Sequence, residues 1–320
     1  MVKRKRLNLK KMFIFLGIVL LIIILLIFGI KSLINEKKIK NSNEYKLEQI
    51  GYSTNEIDII KNYLNNEQIE SLLNIKYNTS IVKFIKEKYF LFKNLDKYLE
   101  YSKENDEEIS LVVAKVNTKA STGWYSTIYE TDISRNELML VNKFYKLDET
   151  YVPDLTSVSL TYAYQGKKVS KVIYDDLISL LENARENGYK LVVSQGYRGY
   201  EDQSEAYDSI LKSSGQSYAD KIASRPGHSD YQTGLSVDIK PYNTLVDDPS
   251  TNPDHEWLIN NAYKFGFILR YPENKEEITG FSYDAWRFRY VGLEAAKIIH
   301  DENITFDEYY EFYIMGDKNE

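Results

Sequence analysis

Residues 225–241 read RPGHSDYQTGLSVDIKP, and the reading of the whole chain turns on them. The pattern S-x-x-x-x-G-x-x-x-D, from Ser229 through Gly234 to Asp238, joins a tight polar turn to a short apolar strand. A turn of this kind is a usual way to bring a histidine and an aspartate onto one metal ion. Here the histidine position holds Tyr231. The stretch has the frame of a metal site and lacks one of its donors.

Outward from this turn the pattern mixes strands and helices. Short β-branched runs predict strands at SLVVAKVN (110–117), within ELMLVNKFYKLDETYVPDL (137–155) and at SVSLTY (157–162). A helix is expected from Ser170, with Val172, Ile173, Leu177, Leu180, Leu181 and Ala184 on one face and Gly188 as its stop. Then follow the strand KLVVS (190–194), the loop QGYRGYEDQ (195–203), a helix through SEAYDSILKSSG (204–215) and the strand LSVDI (235–239). The helix EWLINNAYKF (256–265) stops at Gly266, and the strands GFILRYP (266–272) and WRFRYVG (286–292) precede a last helix. Strands and helices do not strictly alternate, so the fold class is α+β, a mixed or antiparallel sheet flanked by helices.

Composition narrows the chemistry. The chain has 320 residues, 43% hydrophobic and 28% charged, enough for one sizeable domain and a smaller one. A formal charge of -6 argues against nucleic acid as a partner, because a phosphate-binding surface needs a basic excess. With no cysteine, disulfides and thiolate ligands are excluded, and a metal would have to draw on Asp, Glu and the three histidines, His228, His255 and His300. A zinc site needs several ligands within about 2.1 Å of the ion, so these histidines are read as surface or capping residues rather than relocated ligands.

Near the N-terminus, Met12 to Ile30 is uncharged and apolar, long enough for a helix to cross a hydrocarbon core of about 30 Å. Lys3, Arg4, Lys5, Arg6, Lys10 and Lys11 before it predict a cytoplasmic flank, with the rest of the chain outside. The following KSLINEKK lacks the small-x-small site of a cleaved signal peptide, so the run reads as an uncleaved anchor. The expected organisation is a basic tail (1–11), a transmembrane anchor (12–30), a linker (31–44), a small helical module (45–106) and the core domain (107–320). In the module, Ser53 with Glu56 is a capping box, Asn65 with Gln68 makes a similar start, and a third apolar-periodic segment runs through IVKFIKEKYFLFKNLDKYLEY (81–101).

The blocks NKFYKLDETYVPDL, SQGYRGYEDQ, RPGHSDYQTGLSVDI and EWLINNAYKFGFILRYPENKEEITGFSYDAWRFRYVG, in this order, resemble the VanY-like D-alanyl-D-alanine carboxypeptidases of bacterial cell walls. The likeness covers roughly Leu138 to Ile299 and is more specific than any one short motif. The region from Gly51 to about Asp106 is similar to the helical segment before this domain in some membrane-anchored members. The resemblance implies a zinc peptidase that trims the terminal D-alanine of peptidoglycan stem peptides.

The residues that would carry that reaction are altered. The family pattern S-x-H-x-x-G-x-A-x-D falls on Ser229, Tyr231, Gly234, Ser236 and Asp238, and E-x-W-H falls on Asp284, Trp286 and Arg287. Asp238 is the one retained metal position, Tyr231 and Arg287 occupy the histidine positions, and Asp284 stands where the general-base glutamate is implied. Arginine has no lone pair to give. A tyrosine with a pKa of about 10 needs a strong Lewis acid to ligate as phenolate, which a cationic neighbour opposes. Asp284 loses roughly 1 to 1.5 Å of reach in a task where hydrogen-bond distance decides rate. Arg287 is expected to fill the vacated metal position and pair with Asp238 and Asp284, since an unpaired buried carboxylate is costly.

The resemblance also implies a substrate contact for Arg198, near the scissile carbonyl or the peptide carboxylate. It further places Gln203 and Ser229 facing the cleft, and Trp286 with Tyr290 as its walls. No cofactor is expected for this chain, zinc being that of the family. The expected function is a membrane-anchored extracellular protein that binds wall stem peptides or a wall-enzyme partner without hydrolysis. The alternatives are an active D-alanyl-D-alanine carboxypeptidase and an interaction protein working through its helical module.

Overall fold

The computed structural model describes residues 9–242 and 252–316 and divides into two compact units, residues 1–92 and 93–320. The basic residues Lys3 to Arg6 lie outside the described residues.

The first unit begins with α1, Leu9–Lys40, a helix long and apolar enough to cross a membrane, with most of its large apolar side chains exposed, among them Phe13, Leu16, Leu25 and Phe28. Four short helices follow: α2 (Asn43–Ile50), α3 (Thr54–Tyr63), α4 (Asn66–Leu72) and α5 (Ser80–Ile85). The two sequence-predicted capping boxes are formed. Ser53 and Glu56 satisfy each other's amides at the start of α3, and Asn65 and Gln68 do so at the start of α4. Leu47, Ile60, Leu72, Ile81 and Phe84 are buried between these helices. The segment 81–101, read as one helical run, is instead split into α5, a 3-10 turn at Phe92–Asn94 and α6 (Leu95–Glu104). Its buried residues divide into Ile81, Val82, Phe84 and Ile85 of the first unit and Leu95 with Tyr98 of the second, so the two ends belong to different cores.

In the second unit α6 is followed by α7, Ile109–Asn117. The run SLVVAKVN is therefore helical, not the strand its β-branched residues predict. Val112, Val113, Ala114, Lys115 and Val116 are all buried, and burial on more than one side overrides the local β preference. The segment 137–162 carries little regular strand either: β1 (Tyr129–Glu130) pairs with β2 (Tyr145–Lys146), and β3 (Leu155–Ser157) with β4 (Lys168–Ser170).

The core is a four-stranded antiparallel sheet in the order β5-β6-β8-β7. Its strands are β5 (Leu191–Gln195), β6 (Ser236–Pro241), β7 (Phe267–Tyr271) and β8 (Asp284–Tyr290). The helices are α8 (Tyr174–Glu186), α9 (Tyr200–Ser214), α10 (Gln216–Ile222), α11 (Pro253–Asn261), α12 (Glu276–Thr279), α13 (Leu293–Glu302) and α14 (Phe306–Tyr309). On one sheet face Val193, Val237, Ile239, Phe267 and Phe288 pack against Leu177, Leu180, Leu181 and Ala184 of α8 and Leu258 of α11. Strand alternation turns Asp238, Arg287 and Arg289 to the other face. That face carries the polar chemistry.

Candidate functional site

The site is built on the two central strands. Asp238 of β6 lies directly opposite Arg287 of β8 in the antiparallel register. The turn before β6 sets the third member. Ser229 caps a 3-10 turn, Asp230–Thr233, by accepting the amide of Tyr231 at 3.3 Å, and Gly234 leaves the turn at φ 66°, a left-handed conformation that suits glycine. A Cβ at Gly234 would also meet the Ser170 amide nitrogen at 2.9 Å. This geometry brings the Tyr231 side chain over the strands.

Tyr231, Asp238, Asp284 and Arg287 form one interlocked cluster. The Tyr231 hydroxyl donates to Asp238 Oδ1 at 2.6 Å and accepts from Arg287 Nε at 3.0 Å. Arg287 Nε lies 3.6 Å from Asp238 Oδ1, and Nη2 lies 3.0 Å from Asp284 Oδ2. The other oxygen of Asp284 accepts the Trp286 amide at 3.2 Å. The guanidinium stacks on the Tyr231 ring at 4.3 Å, with the Tyr271 ring at 5.4 Å. Thus both aspartates that the sequence placed at the site converge on Arg287, as expected from the need to neutralise buried charge.

The protonation states follow from the surroundings. Burial pushes the Tyr231 phenol up; Arg287 pulls it the other way, but Asp238 adds to the rise, so the hydroxyl stays protonated and donates. Burial disfavours the charge of Arg287, yet Tyr231, Asp284 and Asp238 together raise it well above its ordinary value. The guanidinium is a permanent cation.

These donors do not fit a catalytic zinc ion. Such an ion wants three protein ligands and an open position. Asp238 supplies a carboxylate already engaged with a phenol, and Arg287 places a positive group without lone pairs beside it. Among the described residues no three His, Asp or Glu side chains converge as a ligand set.

The other sequence-predicted residues take varied places. Arg198, in the loop before α9, stacks on the Tyr231 ring at 4.9 Å and donates Nη1 to Gln203 Oε1 at 3.2 Å. Gln203 is buried and donates to the Ser224 carbonyl at 2.7 Å, so it orients Arg198. Ser229 is buried beneath the turn as its cap. Trp286 and Tyr290 alternate to the sheet face opposite Arg287. Trp286 packs edge-on against His255 of α11 at 5.1 Å, while Tyr290 sits in the apolar core and donates to Asp176 of α8 at 2.6 Å. Tyr290 lies in the regularly paired end of β8 and falls on the core face, whereas Asp284 reaches Arg287 from the other end of the strand, where the pairing with β7 shifts register.

Two of the histidines are not the surface groups expected. His228 and His255 are both buried, and burial lowers the basicity of each. His228 Nδ1 pairs with the Asn142 carbonyl at 2.7 Å, and His255 Nε2 lies 3.3 Å from the Tyr283 hydroxyl. Sequence reasoning also missed the ion network under the site. Asp230, fully enclosed, receives Arg270 Nε at 2.6 Å and Arg289 Nη1, and Arg270 reaches on to Asp307 at 2.5 Å. Burial alone would raise the Asp230 carboxyl, but Arg270 and Arg289 hold it below the ordinary carboxylate range. Its only sequence signal is arginine at alternate positions of an apolar strand, Arg287 and Arg289.

Comparison with known proteins supports the fold. The family profile described as VanY, D-alanyl-D-alanine carboxypeptidase, matches residues 166–293. YodJ of Bacillus subtilis is 36% identical over 216 residues, which is 62% of this chain and 79% of YodJ. The solved structure of the LdcB LD-carboxypeptidase, which reveals the basis of that enzyme's peptidoglycan recognition, is 36% identical with a TM-score of 0.54, over 58% of this chain and 90% of LdcB. A VanY D,D-pentapeptidase from a VanB-type vancomycin-resistance cassette, solved with Zn(II), is 34% identical over 54% of this chain and 98% of that one, with a TM-score of 0.48. Fold, motif order and the likenesses to YodJ and LdcB together place the chain in the VanY-like D-alanyl-D-alanine carboxypeptidase family, among proteins of peptidoglycan metabolism.

Proposed function

We propose that this protein is a membrane-anchored member of the family that faces the cell wall and binds its peptide stems without hydrolysing them. The observation that carries the reading is the ion pairing of Arg287 with Asp238 and Asp284. Hydrolysis by a metal-bound water needs a cation with an exchangeable position, and a guanidinium has none. The shortened acid, Asp284, spends one oxygen on Arg287 and the other on a backbone amide, which leaves it poorly placed as a base.

Binding capacity is better preserved than chemistry. Arg198 has no carboxylate within ion-pair distance among the described residues, and Gln203 holds it over the Tyr231 ring. A planar guanidinium so oriented suits a peptide carboxylate or carbonyl. α1 supports a membrane anchor by length and apolar character, with the basic flank on the cytoplasmic side and the remaining chain outside. On this reading residues 12–30 anchor, 31–44 link, 45–106 form a helical module and 107–320 hold the cleft.

The test uses the full chain in detergent micelles, with added zinc and a stem pentapeptide ending in D-Ala-D-Ala. Calorimetric binding with no release of D-alanine is expected. Steady release of D-alanine that a chelator abolishes would restore the active carboxypeptidase reading.

A further inference from the structure

The acids around Arg287 do not use all of its donors. Nε donates to Tyr231 and lies beside Asp238, and Nη2 lies beside Asp284, whereas Nη1 makes no hydrogen bond among the described residues. Arg198 is in a similar state: Nη1 is on Gln203, and Nε and Nη2 have no partner among the described residues. Both guanidiniums stack on the one ring of Tyr231, at 4.3 and 4.9 Å. Each is a planar, cationic fork of N–H donors.

The arrangement is more than a repair of a lost site. Two carboxylates and a phenol fix Arg287 in place before any ligand arrives, so little side-chain entropy remains to be lost on binding. A cationic group held rigidly, partly exposed and with an unused edge, is a receptor for an oxyanion.

We propose that Arg287 is a permanent cation built into the chain at the lost metal position, and that its free Nη1 edge, together with Arg198, holds the carboxylate end of a peptide with no metal present. This rests on the peptide-binding reading above and deepens it. Arg287 is a ligand contact here, and Asp238, Asp284 and Tyr231 are its positioning residues.

The experiment is calorimetry on the full chain in detergent after EDTA treatment. The probes are a synthetic stem-peptide analogue ending in free D-Ala-D-Ala and the same peptide as its C-terminal amide. Wild type is compared with Arg287→Lys, which keeps a charge but loses the fork, and melting curves check folding. The expected result is that the acid form binds equally with and without EDTA, and that both the amide and the Lys variant bind at least about tenfold more weakly. Equal binding of acid and amide, a requirement for zinc, or wild-type affinity in a folded Arg287→Lys chain would each overturn the inference and leave peptide binding intact. Should the variant fail to fold, the acid-amide and EDTA comparisons on wild type decide alone. No binding of either peptide by wild type would sink the peptide-binding reading, and this inference with it.

Discussion

Two side chains show how local charge decides behaviour. Arg287 is held by Asp238, Asp284 and Tyr231, so Arg287→Ala leaves two carboxylates facing each other across β6 and β8. A loss of about 3 kcal/mol is expected, read as a fall in the melting midpoint of roughly 10 °C; a variant melting with wild type would show that the cluster is not neutralised by this residue. Restoring the donors tests the same point from the other side. Tyr231→His with Arg287→His and Asp284→Glu should retain close to one zinc per chain after desalting, while the wild type retains almost none, as read by atomic absorption. The second side chain is Lys143, enclosed by the rings of Trp124, Tyr125 and Phe281, with Nζ 4.3 Å from the Phe281 centroid. Burial lowers its pKa to about 8, with Asp220 opposing and Arg225 adding to the fall. The unfolded chain therefore binds the extra proton between about pH 8 and the ordinary lysine value of about 10.4, and stability rises with pH across that window. Urea midpoints at pH 8 and pH 10 should show this rise in wild type and a smaller one in Lys143→Met.

Among the elements, the turn that feeds β6 matters most to the site. Gly234 stands at φ 66° with Ser170 and Pro153 close to where a Cβ would project. Gly234→Ala should cost more than about 1 kcal/mol in a denaturant titration, since both the backbone conformation and the packing resist it. An unchanged midpoint would mean that the turn relaxes freely. This turn was legible because its residues are local: a capping serine, polar positions and a glycine in sequence order. α7 was not legible, since Val112, Val113 and Val116 carry a strand preference that only the surrounding core reverses. α3 from Ser53 was read correctly for the same local reason, and so was the stop of α8 before Gly188, but α8 begins at Tyr174 rather than Ser170, because Ser170 ends β4 and Val172, in the 3-10 turn between them, is exposed.

For the molecule as a whole, α1 is the element with the simplest consequence. A chain lacking residues 1–40 should move from the membrane fraction to the soluble fraction on cell fractionation, and its persistence in membranes would point to a second attachment. The sequence by itself determined the apolar N-terminal run, the α+β class, the family likeness and the identities of Tyr231, Asp238, Asp284 and Arg287. These are properties of residue type and short spacing, which a linear chain displays in full. The tertiary structure alone decided that Arg270 and Arg289 enclose Asp230, and that Tyr290 belongs to the core rather than the cleft. It also decided that Gln203 orients Arg198 and that one nitrogen of Arg287 stays unused. Partners such as Asp230 and Asp307 are distant along the chain, and strand register and sheet face set which charges meet, so folding had to bring them together before their pairing could be read.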